Sequence, residues 1–427
     1  MDVIVAVLNI GFLTFIAYRI WRKNVSAIRK FFWPALLFKL IAGILLGVMY
    51  AYYYTVGDTF NYFDDGVKLA TIARSDVKSY LGFLWSGDST SSVWSELLYK
   101  QPRAMFLSKI TSVFCILTFD NYWIISLYFS AISFFCTWQF ATKIVAFYPH
   151  AEVAATLGLL FFPSVVFWSS GIIKESLAMA ALYFLSFIFL KIWEKENLKA
   201  LDWPFSLIAI WILWNLKYYY VAIFLPVAVT SLVVRWLLLK VRIPSLPGKI
   251  LLWCSVFFIP LLLVSVLHPN FYPERLMEVV VSSYYEYQAI SNSEDLIHFH
   301  SLSAAPLGIL KNIPLALFSG LFRPFLTEAH TILQVFTAIE NLVLLMLFIF
   351  AITQFKKMTN SKYRLLLFSV LVYAILLCVF LALSTPNFGT LSRYRVGFLP
   401  FLVVLITLEN PVIHKLMDSK WMKNLVP

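Results

Sequence analysis

The chain is poor in charge. Lys, Arg, Asp and Glu make up only 13% of its 427 residues, where soluble domains carry about a quarter. At 61% hydrophobic residues, it holds more apolar side chain than a soluble globule can bury. A disordered chain needs the opposite composition. Acid is scarcer than base, with 22 Asp and Glu against 34 Lys and Arg and a net charge of +12. At a mean hydropathy of +0.81, such an excess of base reports membrane topology, and no nucleic-acid partner is expected. Cysteine is scarce as well. The four (Cys115, Cys136, Cys254, Cys378) exclude a disulfide scaffold and read as small core residues. The period-2 alternation of a membrane barrel is missing, and no internal repeat or low-complexity tract is visible. No small-residue cleavage site follows the first apolar run. A basic cluster does, so that run reads as a retained helix.

What is present is a series of apolar runs of about 20 residues, the length of a membrane-spanning helix. Lipid offers the backbone no partners, so the spans are helical. The expected fold is an all-α polytopic membrane protein, one transmembrane domain over 1–427. It has about eleven spans: 2–20, 31–54, 122–146, 151–168, 175–192, 202–216, 218–236, 250–267, 331–354, 364–384 and 396–411.

The basic loops set the orientation. Arg19, Arg22, Lys23, Arg29 and Lys30 share one side with Lys191, Lys195, Lys199, Arg235, Lys240, Arg242 and Lys249. Lys356, Lys357, Lys362, Arg364, Lys415, Lys420 and Lys423 join them. That side is expected to be cytoplasmic, in an inner membrane, with the N-terminus outside and the C-terminus inside. The acids gather on the other side, among them Asp58, Asp64, Asp65, Asp76, Asp88, Glu96, Asp120, Glu274, Glu294, Asp295 and Glu328. Two large outer loops follow, 55–121 and 268–330. Counting 104–119 as a span would invert every later loop, so it reads as a helix on the outer surface, with Arg103 and Lys109 at the headgroups. The stretch 304–326, with Pro306, Pro314 and Pro324, reads as interfacial or re-entrant.

Four polar groups fall on the expected outer side. The first is GDTFNYFDDG, Gly57 to Gly66. Asp58 lies just past the second span, where partial desolvation suits a carboxylate to general-base work. Asp64 and Asp65 read as substrate or divalent-cation ligands, or as solvated loop charges. The motif also fits a plain turn. The second is FPSVVFWSSGIIKESL, in which Lys174 and Glu175 open a helix close to apolar spans. They fit a site, or an interfacial ion pair behind a serine cap. The third is WNLKYYY, Trp214 to Tyr220. Lys217 and Tyr218 there suit a phosphate or a sugar ring, or an aromatic belt with a snorkelling Lys. The fourth is STPNFGTLSRYRVGFLP. Arg393, Tyr394 and Arg395 stand against the charge bias, and arginine presents a fork of donors that matches phosphate. Pairing with loop acids is the alternative. Arg323 and the pair His298 and His300 belong to the same side. The two histidines alone lack a third metal ligand, and no metal site is assigned.

A transferase acting on a lipid-linked phosphate needs a cationic cradle at headgroup depth and a base for the acceptor hydroxyl. The layout resembles the GT-C class of integral membrane glycosyltransferases, which use polyprenyl-phosphate sugars in the manner of dolichyl-phosphate-mannose mannosyltransferases. The resembling stretches are FFPSVVFWSSGIIKESL, GLFRPF and NFGTLSRYR, with the acidic opening of the first outer loop. Two features depart from that class. An extra span precedes the acidic loop, and Asp64 and Asp65 are adjacent rather than spaced. The resemblance implies an inner-membrane enzyme that takes a sugar from an undecaprenyl-phosphate-type donor and passes it, with inversion, to an acceptor glycan, lipid or protein. Asp58 is then the catalytic base. Arg393, Arg395, Lys217 and Lys174 bind the donor phosphate. Asp64, Asp65, Glu175, Tyr218, Arg323 and Tyr394 line the substrate. A repeat-unit polysaccharide polymerase and a lipid-linked-sugar flippase are the other readings.

Overall fold

The computed structural model describes residues 2–54, 57–87, 92–267, 272–353 and 361–418. Asp88, Lys356, Lys357, Lys420 and Lys423, used above for orientation, lie outside them. Among the described residues the protein is helical throughout, with a single isolated bridge between Leu296 and Asn387. Among the described residues, eight helices are long and apolar enough to cross a membrane, and a bent pair raises the number to nine. This is the helix set of a multi-pass membrane protein. The chain forms two compact units, Met1–Val221 and Ala222–Pro427.

In the first unit, α1 (Asp2–Lys23), α2 (Phe32–Tyr52), α7 (Tyr122–Phe147) and α10 (Lys174–Trp193) are the long apolar helices. α7 packs on both α2 and α10. Serines substitute for bulk at that junction. Ser126 Oγ donates to Gly43 O at 3.0 Å, and Ser130 Oγ accepts from Gly171 N at 2.9 Å. Gly171 adopts φ +71°, and a Cβ there would sit 3.0 Å from Leu46 Cδ2. Only glycine meets both demands.

The first expected outer loop is itself helical: α3 (Asp58–Ser75), α4 (Val77–Ser86), α5 (Ser92–Glu96) and α6 (Pro102–Thr118). Apolar residues of α3 recur at helical spacing and pack with Tyr80, Phe83, Leu97 and Met105 into a small core. Arg74 grips Asp120 through two hydrogen bonds, at 2.7 and 3.0 Å. The helix expected over 104–119 is α6.

Three of the expected spans in this part of the chain differ. The stretch 151–168 is broken into a short α8 (Glu152–Ala155), a wide π-type turn (Thr156–Phe161) and α9 (Pro163–Phe167). Pro163 starts a new helix rather than extending the old one. The expected spans 202–216 and 218–236 lie in one element, α11 (Asp202–Lys240), interrupted by non-helical backbone at Lys217 (φ −144°, ψ 68°).

In the second unit, α12 (Leu246–Leu267), α15 (Ile332–Thr353) and α16 (Arg364–Ser384) are the long helices. α13 (Pro273–Ile290) and α14 (Pro306–Phe322) occupy the second expected loop and pack on α16. At the start of the last expected span, 396–411, the helix axis bends by 66° between Phe388–Gly397, which contains α17 (Phe388–Tyr394), and α18 (Leu399–Thr407). α19 (Pro411–Asp418) closes the described chain.

Candidate functional site

The first unit gathers five of the sequence-predicted residues into one polar cluster. Asp58 is the first residue of α3, preceded by Gly57 in extended backbone. A Cβ on Gly57 would lie 2.1 Å from the Tyr50 ring, so glycine lets the start of α3 lie against that ring. A carboxylate in the first turn is favoured there by the helix dipole. Asp58 is half-buried, and Tyr99 donates its hydroxyl to Oδ1 at 2.7 Å. The Tyr99 ring lies 4.9 Å from that of Tyr62, one turn along α3 from Asp58. On the Tyr62 ring sits the Lys174 ammonium, 5.5 Å from the centroid.

Glu175 follows Lys174 and is fully buried. Its Oε1 lies 2.6 Å from Lys217 Nζ, itself almost fully buried. The helix break at Lys217 turns the next residue, Tyr218, under Arg103, whose guanidinium is 4.3 Å from the ring centroid. Arg103 stands in the first turn of α6, four residues beyond Tyr99 in sequence. The cluster holds three cations (Arg103, Lys174, Lys217) and two carboxylates (Asp58, Glu175), with tyrosines between them. It suits an anionic group that carries a sugar or other hydroxylated ring.

Asp64 and Asp65 part company. Asp64 is exposed on α3. Asp65 is fully buried and accepts from the backbone N–H of Leu98 at 2.7 Å and of Tyr99 at 3.0 Å, with Lys68 at 3.7 Å. It thus fixes the strand of chain that presents Tyr99 to Asp58. Among the described residues, no three His, Cys, Asp or Glu side chains come together to hold a metal ion. Cys115, on α6, has its thiol pushed up to about 12, mainly by burial, which disfavours a thiolate nucleophile there.

The remaining predicted residues lie in the second unit. Arg323 and Glu328 form a forked ion pair with contacts of 2.5 to 3.1 Å. Burial acts to raise the Glu328 carboxyl. The Arg323 hydrogen bonds and the Phe325 N–H outweigh it and hold the group below the usual carboxylate range. Arg323 also lies over Phe388, 5.1 Å from the centroid. Asn341 joins this pair to the next arginine, donating to Pro324 O at 3.0 Å and accepting from Arg395 Nη1 at 2.6 Å. Arg395 is 1% exposed, with Glu340 at 4.0 Å. Its fork therefore faces the protein interior, whereas Arg393 and Tyr394 are half-buried. His298 bonds to Ser293 O, and the backbone of His300 exchanges hydrogen bonds with Asn312.

Tyr99, Tyr62, Glu340 and Asn341 escaped the reading of the sequence, and Arg103 entered it only as a headgroup residue. Tyr62 carried a signal, standing four residues from Asp58 on one helical face. Tyr99 carried none, because its position depends on the distant Asp65. No protein-family model, curated protein or solved structure matches the chain.

Proposed function

We propose that the protein is an inverting membrane glycosyltransferase, which moves a sugar from a polyprenyl-phosphate donor to an acceptor hydroxyl at the outer face of the inner membrane. One observation carries this reading: Asp58, Lys174, Glu175, Lys217 and Tyr218, far apart in sequence, meet in one cationic, tyrosine-lined cluster. Chains of this composition keep buried ionisable groups mainly where they are used.

In the proposed mechanism Asp58 takes the proton of the acceptor hydroxyl. The Tyr99 hydroxyl donates to one carboxylate oxygen, which orients the group. Lys174 meets the negative charge that grows on the departing phosphate. The Glu175–Lys217 pair holds the α11 break and with it the Tyr218 ring beneath Arg103. A phosphate leaves readily, so a second carboxylic acid is not required, unlike in glycoside hydrolysis. In the second unit, Arg393 keeps the forked chemistry of an anion ligand. Arg395, inside the protein, acts by positioning the segment that bears Arg393.

The test is genetic and chemical. A deletion strain is complemented with wild type, Asp58→Asn or Arg393→Ala, and its lipid-linked and surface glycans are read by mass spectrometry. Wild type is expected to restore a glycan that the Asp58→Asn strain leaves one sugar short. The transfer rate should fall by about two to four orders of magnitude, the worth of a general base with its supporting contacts. Complete repeat units that fail to lengthen would indicate the polymerase instead. Unchanged glycans in the deletion strain would remove both enzymes.

A further inference from the structure

The stretch from Val3 to Gly57 contains no Asp or Glu, yet it carries Arg19, Arg22, Lys23, Arg29, Lys30 and Lys39. Lys39 is satisfied internally, donating to Ser169 Oγ. Among the described residues no carboxylate pairs with Arg19, Arg22, Lys23 or Arg29. Arg29 lies over the Trp21 ring, 4.3 Å from the centroid, and its buried Nε meets no protein acceptor. Trp21 in turn packs near Trp33, with ring centroids 6.2 Å apart.

Trp33 also lines the rim of an apolar cavity of about 180 Å³. Leu13 of α1, Leu36 and Leu40 of α2, and Leu127 and Phe135 of α7 form its walls. A cavity of about 150 Å³ takes a six-carbon ring, so this one has room for a comparable stretch of hydrocarbon chain. The lining is almost wholly carbon, which rules out a polar guest. The cavity lies beside a helix with little protein packing of its own. In α1 only 6% of the most apolar window is buried, and its polar tie to the body is Asn9, which accepts from Tyr128 at 2.7 Å.

From these observations we infer that the α1–α2–α7 groove is a binding site for an anionic phospholipid, with the phosphate on Arg29 beside Trp21 and one acyl chain in the cavity. The charge complementarity selects the head, and the hydrocarbon walls select the tail. Arg29 offers a forked donor set to phosphate oxygens, while tryptophans favour headgroup depth. The bound chain fastens α1 to the rest of the unit, filling the space that protein side chains leave open. The site uses none of the residues of the Asp58 cluster and stands independently of the glycosyltransferase reading.

The test is native mass spectrometry of the full chain released from detergent micelles, with phosphatidylglycerol or phosphatidylcholine of matched chains added. Wild type is expected to keep one phosphatidylglycerol and to retain phosphatidylcholine about tenfold less, because the choline ammonium beside the same phosphate is repelled by Arg29 and its basic neighbours. Arg29→Gln should lose most of that preference. Ala131→Phe, which fills the cavity from α7, should weaken both lipids. Equal retention of the two lipids by wild type would overturn the assignment without recourse to any variant. Undiminished phosphatidylglycerol binding by either variant would overturn the corresponding half of it.

Discussion

Three acids in one ten-residue motif have three different surroundings, and the difference is visible only side chain by side chain. Asp58 meets a tyrosine hydroxyl, Asp64 faces outward, and Asp65 is sealed against two backbone N–H groups. Asp65→Asn keeps one acceptor oxygen but turns an NH₂ toward a backbone donor. Hydrogen bonds to a charged group contribute about 1.5–3 kcal/mol each. The variant should therefore lose about 2 kcal/mol or more, whereas Asp64→Asn should stay within about 0.5 kcal/mol of wild type. Thermal unfolding of the three proteins in one detergent measures this, and equal midpoints would contradict it. The distinction was partly legible beforehand. The buried face of α3 runs through Thr59, Tyr62, Gly66, Leu69, Ala70 and Ala73, and helical spacing puts position 65 on that face and 64 off it. What no spacing discloses is the partner. Arg395 shows the same limit: it stood out as a charge against the topological trend, but its burial against Asn341 follows from a packing arrangement that spans more than fifty residues.

At the scale of the element, α11 matters most. The run of aromatic residues after Lys217 is a weak helix former, and the backbone leaves helical geometry at Lys217 itself. The ion pair with Glu175 fixes that break against the start of α10. Removing one partner of a buried pair leaves the other charge stranded and costs about 3–5 kcal/mol, while replacing both is often nearly neutral. Lys217→Met and Glu175→Gln should thus each destabilise strongly, and the double variant should recover much of the loss. Additive losses, within about 0.5 kcal/mol, would show the pair to be uncoupled. The same cycle separates structure from chemistry. If Lys217 also serves transfer, the double variant regains its unfolding midpoint without regaining activity. The break was legible from hydropathy and the WNLKYYY sequence, because two short apolar runs flank it. The fragmentation of 151–168 was not. Its composition is that of a span, and only the wide turn before Pro163 divides it. Local turn geometry, rather than hydropathy, decides whether such a run is one helix.

At the scale of the whole molecule, the number of membrane crossings turns on that same element. A straight helix of 39 residues would reach roughly 58 Å, about twice the hydrocarbon thickness of a bilayer. Two contacts argue against a single crossing. Lys191, near the end of α10, pairs with Asp202 at the start of α11. Glu175, at the start of α10, pairs with Lys217. The first part of α11 therefore runs back along the full length of α10. The part beyond Lys217 has roughly 34 Å of helix left, enough to cross again. The charge pattern agrees. Lys195 and Lys199 precede α11, and Lys240, Arg242 and Lys249 close or follow it, so basic residues flank both ends as they would on one cytoplasmic side. Single cysteines at Leu201 and Val241, both exposed, should react with a membrane-impermeant maleimide from the same side of sealed vesicles, in a background without the four native cysteines. Labelling from opposite sides would make α11 one tilted crossing. It would also invert the expected orientation of every later segment. The proposed chemistry needs its phosphate ligands on the face where its base lies, so this measurement constrains the function as directly as it does the fold.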